Sequence, residues 1–188
     1  DGMPDGWEVN YGLNPISNLD ANEDADNDGW DFDRNFNITG WEKFTNLEEY
    51  LNGTNPIDAD TDGDGMPDGW EAFYDLNPRD SKDANEDLDL DGYDSNRDTF
   101  VSNNEKFTNY EEFLNNTIPN KNDTDEDGMW DGWEIYYNLN PLDDFDATVD
   151  NDMDGFDSNY NGTLEEEEEH NNLLEFYNLY HSLMIHWK

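Results

Sequence analysis

Cysteine is absent from the 188 residues, which removes disulfide cross-links and thiolate zinc sites. Positive charge is scarce as well: 8 lysines and arginines stand against 50 aspartates and glutamates, a formal charge of −42. Such a surface repels phosphate backbones and anionic headgroups, so neither nucleic acid nor a membrane surface is expected as a partner. Hydrophobic residues make up only 33 % of the chain, and no stretch approaches the ~20 apolar residues of a membrane span. The three histidines, His170, His181 and His186, lie near the C-terminus and do not recur. A histidine-paired nucleophile and a glycine-rich phosphate loop are both missing, so an enzyme is not expected.

A chain so acidic and so poor in apolar residues would ordinarily stay disordered. Two features argue otherwise. Aromatic residues reach 14 %, and glycines punctuate the acidic runs at fixed spacing. Together these suggest a fold completed by cations.

The clearest run is Asp60-Thr61-Asp62-Gly63-Asp64-Gly65-Met66-Pro67-Asp68-Gly69-Trp70-Glu71. Asp60, Asp62, Asp64, Asp68 and Glu71 fill positions 1, 3, 5, 9 and 12 of an EF-hand loop, with Gly65 at 6 and the Met66 carbonyl at 7. Calcium is a hard cation that takes six to eight oxygens, so alternate residues must turn inward around one ion. Asp123, Asp125, Asp127, Met129, Asp131 and Glu134 repeat the set. At the start of the chain Asp1, Met3, Asp5 and Glu8 supply its second half. Positions 1 to 4 would precede Asp1, and the expectation is that the sequence is one stretch of a longer polypeptide.

The copies lie 63 residues apart without insertions. This divides the chain into a first repeat, 1–59, with a truncated loop, a second, 60–122, and a third, 123–188, with an atypical C-terminal helix. In each, the loop leads into a short segment ending in Leu-Asn-Pro, expected to be one or two helical turns that stop before the proline. A second acidic run then follows: Asp24, Asp26, Asp28 and the Trp30 carbonyl; Asp87, Asp89, Asp91 and the Tyr93 carbonyl; Asp150, Asp152, Asp154 and the Phe156 carbonyl. It has no position-12 glutamate.

An overlapping twelve-residue window takes Asp31, Asp33, Asn35, Asn37, Thr39 and Glu42. Its equivalents are Asp94, Asn96, Asp98, Phe100, Ser102 and Glu105, and Asp157, Asn159, Asn161, Thr163, Glu165 and Glu168. Position 7 of these windows (Asn37, Phe100, Thr163) offers its carbonyl. About two to three calcium ions per repeat are expected.

A longer helix should follow over about residues 41–51, with equivalents from Asn104 and from Glu167. Phe44, Leu47, Tyr50 and Leu51 would form its apolar face, Gly53 its C-cap, and Glu48 an outer position clear of the loops. The aromatics read as small cores between half-repeats. Asn52 and Asn115 head N-glycosylation triplets at equivalent helix ends and are the candidate glycan sites.

With its acidic loops, Leu-Asn-Pro signatures and Gly-Thr-Asn-Pro, the sequence resembles thrombospondin type 3 calcium repeats, in the cysteine-free form found in bacterial and archaeal surface proteins. The resemblance implies an extracellular, calcium-filled array of mostly irregular loops with short α-helices, its tandem 63-residue repeats stacked as a metal-stabilised whole. The expected function is a calcium-rigidified stalk, spacer or filament subunit at a cell surface, with other copies or further repeats of the same protein as partners. The alternative is a calcium-dependent adhesion module or a dockerin-like protein-binding module.

Overall fold

Left-handed residues cut the chain into short helical pieces. The computed structural model describes residues 1–35, 37–97, 100–149 and 171–184, and among the described residues the regular structure is helical, with no strand. The α-helices are α1 Asp5–Tyr11, α2 Asn46–Asn52, α3 Asp68–Phe73, α4 Asn109–Asn115, α5 Asp131–Tyr137 and α6 Asn172–Met184. Single 3₁₀ turns span Asp20–Asn22, Gly40–Glu42, Asp83–Asn85 and Asp146–Thr148.

Helices α1, α3 and α5 each begin at the aspartate of Asp-Gly-Trp-Glu, after an extended residue: Pro4, Pro67 or Trp130. They end sooner than the proline of Leu-Asn-Pro would require. Gly12 (φ 78°), Asp75 (φ 63°) and Asn138 (φ 60°) take the left-handed conformation three residues ahead of that proline, and this is what stops them.

The helix expected over residues 41–51 is shorter than its apolar pattern suggests. Thr45 is extended (φ −77°, ψ 155°) and caps α2, accepting from the Glu48 backbone while Glu48 accepts from Thr45. This reciprocal box fixes the start at Asn46, and residues 40–42 form a separate turn with its own Thr39–Glu42 box. Thr108 and Glu111 cap α4 in the same way, so Asn104 lies outside that helix. Gly53 takes the expected left-handed C-cap (φ 77°), and Asn116 (φ 60°) does so after α4.

The inward face of α2 also differs from the expected one. Phe44 is buried, but Leu51 is 72 % exposed, and the helix buries Asn46 and Glu49 instead. Helix α6 has 13 residues against seven for α2 and α4.

The chain forms two compact units, Asp1–Glu86 and Asp87–Lys188, so the division falls inside the 60–122 stretch. In the first unit Met66 and Trp70 are fully buried. Trp70 meets Trp30 edge-on at 6.3 Å and Tyr74 at 5.1 Å, and Trp7 meets Tyr50 at 5.3 Å. The core of the second unit holds Tyr93, Met129, Trp133, Ala147 and Phe176, with the Tyr93 and Tyr137 hydroxyls hydrogen-bonded at 2.9 Å. These cores are small, and carboxylates share the interior with them.

Candidate metal centre

The 60–71 loop wraps around Asp60, whose carboxylate accepts the backbone N–H groups of Gly63 (2.8 Å), Asp64 (3.2 Å) and Gly65 (3.0 Å). Gly65 has φ 102°, a conformation an L side chain rarely adopts, which explains glycine at position 6. Asp64 accepts the Met66 N–H at 2.9 Å with one oxygen, and its other oxygen is buried without a partner. The carboxylates of Asp60, Asp62 and Asp64 converge, with oxygens within 4.8 Å of one another. Glu71 is fully buried with both oxygens unpartnered. Burial pushes its carboxyl up to about 9, and the charges of Asp64, Asp62 and Asp83 push in the same direction.

Asp83 lies outside the twelve residues. It holds the Leu-Asn-Pro segment by accepting the Asn77 N–H at 2.8 Å, and it acts on Glu71, Asp62 and Asp64. Its equivalents do the same work. Asp146 accepts from Asn140 at 2.8 Å and acts on Glu134, which burial and then Asp127 raise to about 10. Asp20 accepts from Asn14 at 2.7 Å and gathers with Asp1 and Glu8.

Asp68, at position 9, faces another way. Its carboxylate accepts the Thr61 N–H (2.8 Å) and hydroxyl (2.7 Å), and an oxygen lies within 4.8 Å of oxygens of Asp28 and Glu49. Asp131 binds Thr124 identically, at 2.8 and 2.7 Å. Asp24, Asp26 and Asp28 converge as a group that shares Asp28 with this one. Burial, then Asp26 and Asp28, raise Glu49 to about 9. Burial, then Asp89 and Asp91, raise Glu112 to about 10.

The overlapping window at 31–42 brings Asp31, Asp33 and Glu42 together, with Glu42 buried and one of its oxygens unpartnered. Asn35 and Thr39 are engaged locally. Asn35 N–H donates to Asp31 (3.0 Å) and Asp33 (3.1 Å), and Thr39 N–H to Glu42 (3.1 Å). Asn37 donates its N–H to the Asn35 side chain at 2.9 Å.

The window from Asp94 is different. Both Glu105 oxygens are taken, one by the Ser95 hydroxyl (2.8 Å) and Asn96 N–H (3.2 Å), the other by the Ser102 N–H (3.1 Å) and hydroxyl (2.7 Å). The Ser102 and Ser95 hydrogen bonds hold its carboxyl down to about 2.

Asp98, Asp150, Asp152, Asp154, Phe156, Asp157, Asn159, Asn161, Thr163, Glu165 and Glu168 lie outside the described residues. Asn52 and Asn115 close α2 and α4, each donating its side-chain amide to a helix carbonyl: Glu48 at 2.9 Å and Glu111 at 2.8 Å.

Glu49, Asp83 and their equivalents are the members sequence reasoning missed. The available signal was identity across copies: Glu49, Glu112 and Glu175 are all glutamate, and Asp20, Asp83 and Asp146 all aspartate.

Glu49, Glu71, Glu112 and Glu134 are each 0 % exposed, with both carboxylate oxygens lacking a hydrogen-bond partner. Buried carboxylates facing one another are costly unless a cation joins them. Their hard, all-oxygen donor set suits a hard cation such as calcium better than a soft metal.

Residues 1–17, 60–74 and 123–143 match the bacterial TSP3 repeat family. These segments hold the first loops and the helices after them; the acidic runs at 24–33 and 87–96 lie outside. No curated protein and no solved structure matches the chain. In these three segments, 53 of its 188 residues, the chain is similar to the bacterial TSP3 repeat.

Proposed function

We propose that this chain is an extracellular structural element: a stalk, spacer or filament subunit at a cell surface that calcium makes rigid, with further repeats or other copies of the same protein as its partners. One observation supports it above all. The interior is partly built from carboxylates whose oxygens have no protein partner, so metal binding supplies folding free energy that the thin aromatic cores do not. About two to three ions per repeat would fill the clusters. Extracellular modules of this kind bind calcium at about 10⁻⁴ to 10⁻³ M, a level met outside cells. Among the described residues no helix is long and apolar enough to cross a membrane. The triplet asparagine Asn52 is exposed at the end of α2, where a glycan would project outward.

Small-angle scattering and circular dichroism with and without chelator test this reading. The expected result is a folded, rigid particle in millimolar calcium and an expanded, helix-poor chain without it. Identical scattering and helix content in both conditions would refute it.

A second reading, a calcium-dependent adhesion or docking module, is favoured by an aromatic patch on the first unit. Phe32 packs against Trp41 (5.8 Å) and Phe73 (5.2 Å), and the three are 47, 67 and 43 % exposed. The equivalent positions are Ser95, Asn104 and Tyr136, so the patch is not part of the repeated core. Calcium-dependent adhesion to cells that is lost on Phe32→Ser with Trp41→Asn would favour this second reading, and adhesion unchanged by the pair would count against it.

A further inference from the structure

Glu49 should not be buried by any pattern visible in its helix. It follows Glu48, which stays at the surface as the partner of Thr45, and it occupies an inward position where an apolar residue would serve packing better. Both its oxygens are nonetheless enclosed and without hydrogen-bond partners. Glu112 on α4 repeats the arrangement, fully buried and with both oxygens unpartnered. A buried ionised carboxylate in this state is strongly disfavoured unless a cation compensates it.

The surroundings identify the compensation. Glu49 and the carboxylates of Asp28 and Asp68 have oxygens within 4.8 Å of one another, and Asp26 acts on Glu49 as well. Asp28 accepts the Gly69 N–H at 3.1 Å with one oxygen, leaving its other oxygen buried and unpartnered. In the second unit Asp91 accepts the Gly132 N–H at 2.9 Å and likewise keeps a buried, unpartnered oxygen. Asp89, Asp91 and Asp131 act on Glu112. Around Glu49, carboxylate oxygens oriented by backbone and threonine donors converge on the buried glutamate; around Glu112 the same kinds of donor hold Asp91 and Asp131, which act on it together with Asp89.

We propose that Glu49 with Asp26, Asp28 and Asp68, and Glu112 with Asp89, Asp91 and Asp131, each hold a hard divalent cation, calcium by donor type, at a site separate from the EF-hand-like loops. The inference rests on the calcium-filled reading above. Each site takes an acidic run and a helix glutamate from one 63-residue repeat and the position-9 aspartate from the next. The ion therefore ties successive repeats together.

Asp68 also links the two kinds of site. The carboxylate facing Glu49 is the one that fixes Thr61, the second residue of the 60–71 loop. Filling the Glu49 site orders the arm that carries Asp60 and Asp62, so it strengthens binding in that loop. Asp131 and Thr124 provide the same link for the 123–134 loop.

The test counts calcium on the whole chain by equilibrium dialysis with elemental analysis, for the parent, Glu49→Gln with Glu112→Gln, and Glu71→Gln. The expected outcome is about two fewer ions in the double variant, one for each site, and weaker binding by the ions that remain. Glu71→Gln should lose about one ion. A parent that binds no calcium would sink the calcium reading as a whole. A parent that binds calcium with a double variant of the same stoichiometry and affinity would overturn only the inter-repeat site.

If the double variant fails to fold, hydrogen exchange on the parent decides. The Gly69 and Gly132 amides, together with α2 and α4, should gain protection as calcium is added. Equal protection in chelator would overturn the proposal.

Discussion

Gly69 donates its backbone N–H to Asp28 at 3.1 Å across 41 residues of sequence, and Gly132 makes the same bond to Asp91 at 2.9 Å. The bond seats the first turn of α3 on the acidic run at 24–28, so the start of one repeat is built against the second acidic run of the one before it. No side chain fits there. A Cβ at Gly69 would meet the Asp28 carbonyl oxygen and the Phe44 Cβ, and one at Gly132 would meet Asp91 and Phe107.

Gly69→Ala is therefore expected to cost stability even though alanine favours a helix. Overpacking against backbone costs about 1 to 3 kcal/mol, whereas glycine to alanine in open helix gains up to ~1 kcal/mol. Gly6 occupies the same motif position in α1 with nothing within 4 Å of a Cβ. Thermal melts in excess calcium should move down for Gly69→Ala and stay level or move up for Gly6→Ala. Matching shifts would show that the contact with Asp28 carries no weight.

The capping threonines give a second expectation. Thr45→Ala removes an acceptor for the Glu48 N–H and breaks the reciprocal box, a loss of about 1 kcal/mol. Because Glu49 is held on the same short helix, calcium affinity should fall together with stability. A stability loss with unchanged calcium affinity would mean that α2 does not position a ligand.

The windows at 31–42 and 94–105 should also differ. Glu42 keeps a buried, unpartnered oxygen beside Asp31 and Asp33, whereas Glu105 has four hydrogen bonds of its own. Glu42→Gln is expected to remove about one ion from the stoichiometry and Glu105→Gln much less than one. Equal losses would show that the internal bonds of Glu105 yield to the metal.

How far these sites could be read from sequence follows from their locality. The 60–71 loop is twelve consecutive residues, so the convergence of Asp60, Asp62 and Asp64 and the need for glycine at 65 were visible in its spacing. Helix boundaries were half visible. Gly53 announced its C-cap, but the Thr45–Glu48 box overrode an apolar pattern that began at Phe44. Glu49, Asp83 and the turned Asp68 were hidden because each acts on residues distant in sequence. In a chain with 50 acids, a lone glutamate after Glu48 reads as solvated surface. Its burial depends on the Asp24–Asp28 run and the next repeat converging on α2, which no local pattern encodes.

The last expectation concerns pH, where the metal-free and calcium-filled chains should respond in opposite directions. Without metal, burial raises Glu49 and Glu71 from the ordinary 4.5 to about 9, and Glu112 and Glu134 to about 10. Below the unfolded value, folded and unfolded chains are both protonated, and the stability these groups contribute is fully present. Between that value and about 9 the folded chain binds protons that the unfolded chain has released, so stability falls as pH rises. Self-repulsion in a chain of charge −42 acts in the same direction. With calcium in excess the ion replaces those protons. Affinity then climbs over the same window as proton competition fades, and so does stability. Helix content by circular dichroism in EDTA, and denaturant midpoints in millimolar calcium, each taken at about pH 5, 7 and 9, should slope downward in the first series and upward in the second. Calorimetric titrations near pH 7 in buffers of different ionisation enthalpy should show proton release on calcium binding. Parallel slopes, or binding without proton release, would mean that the buried glutamates do not exchange protons for metal.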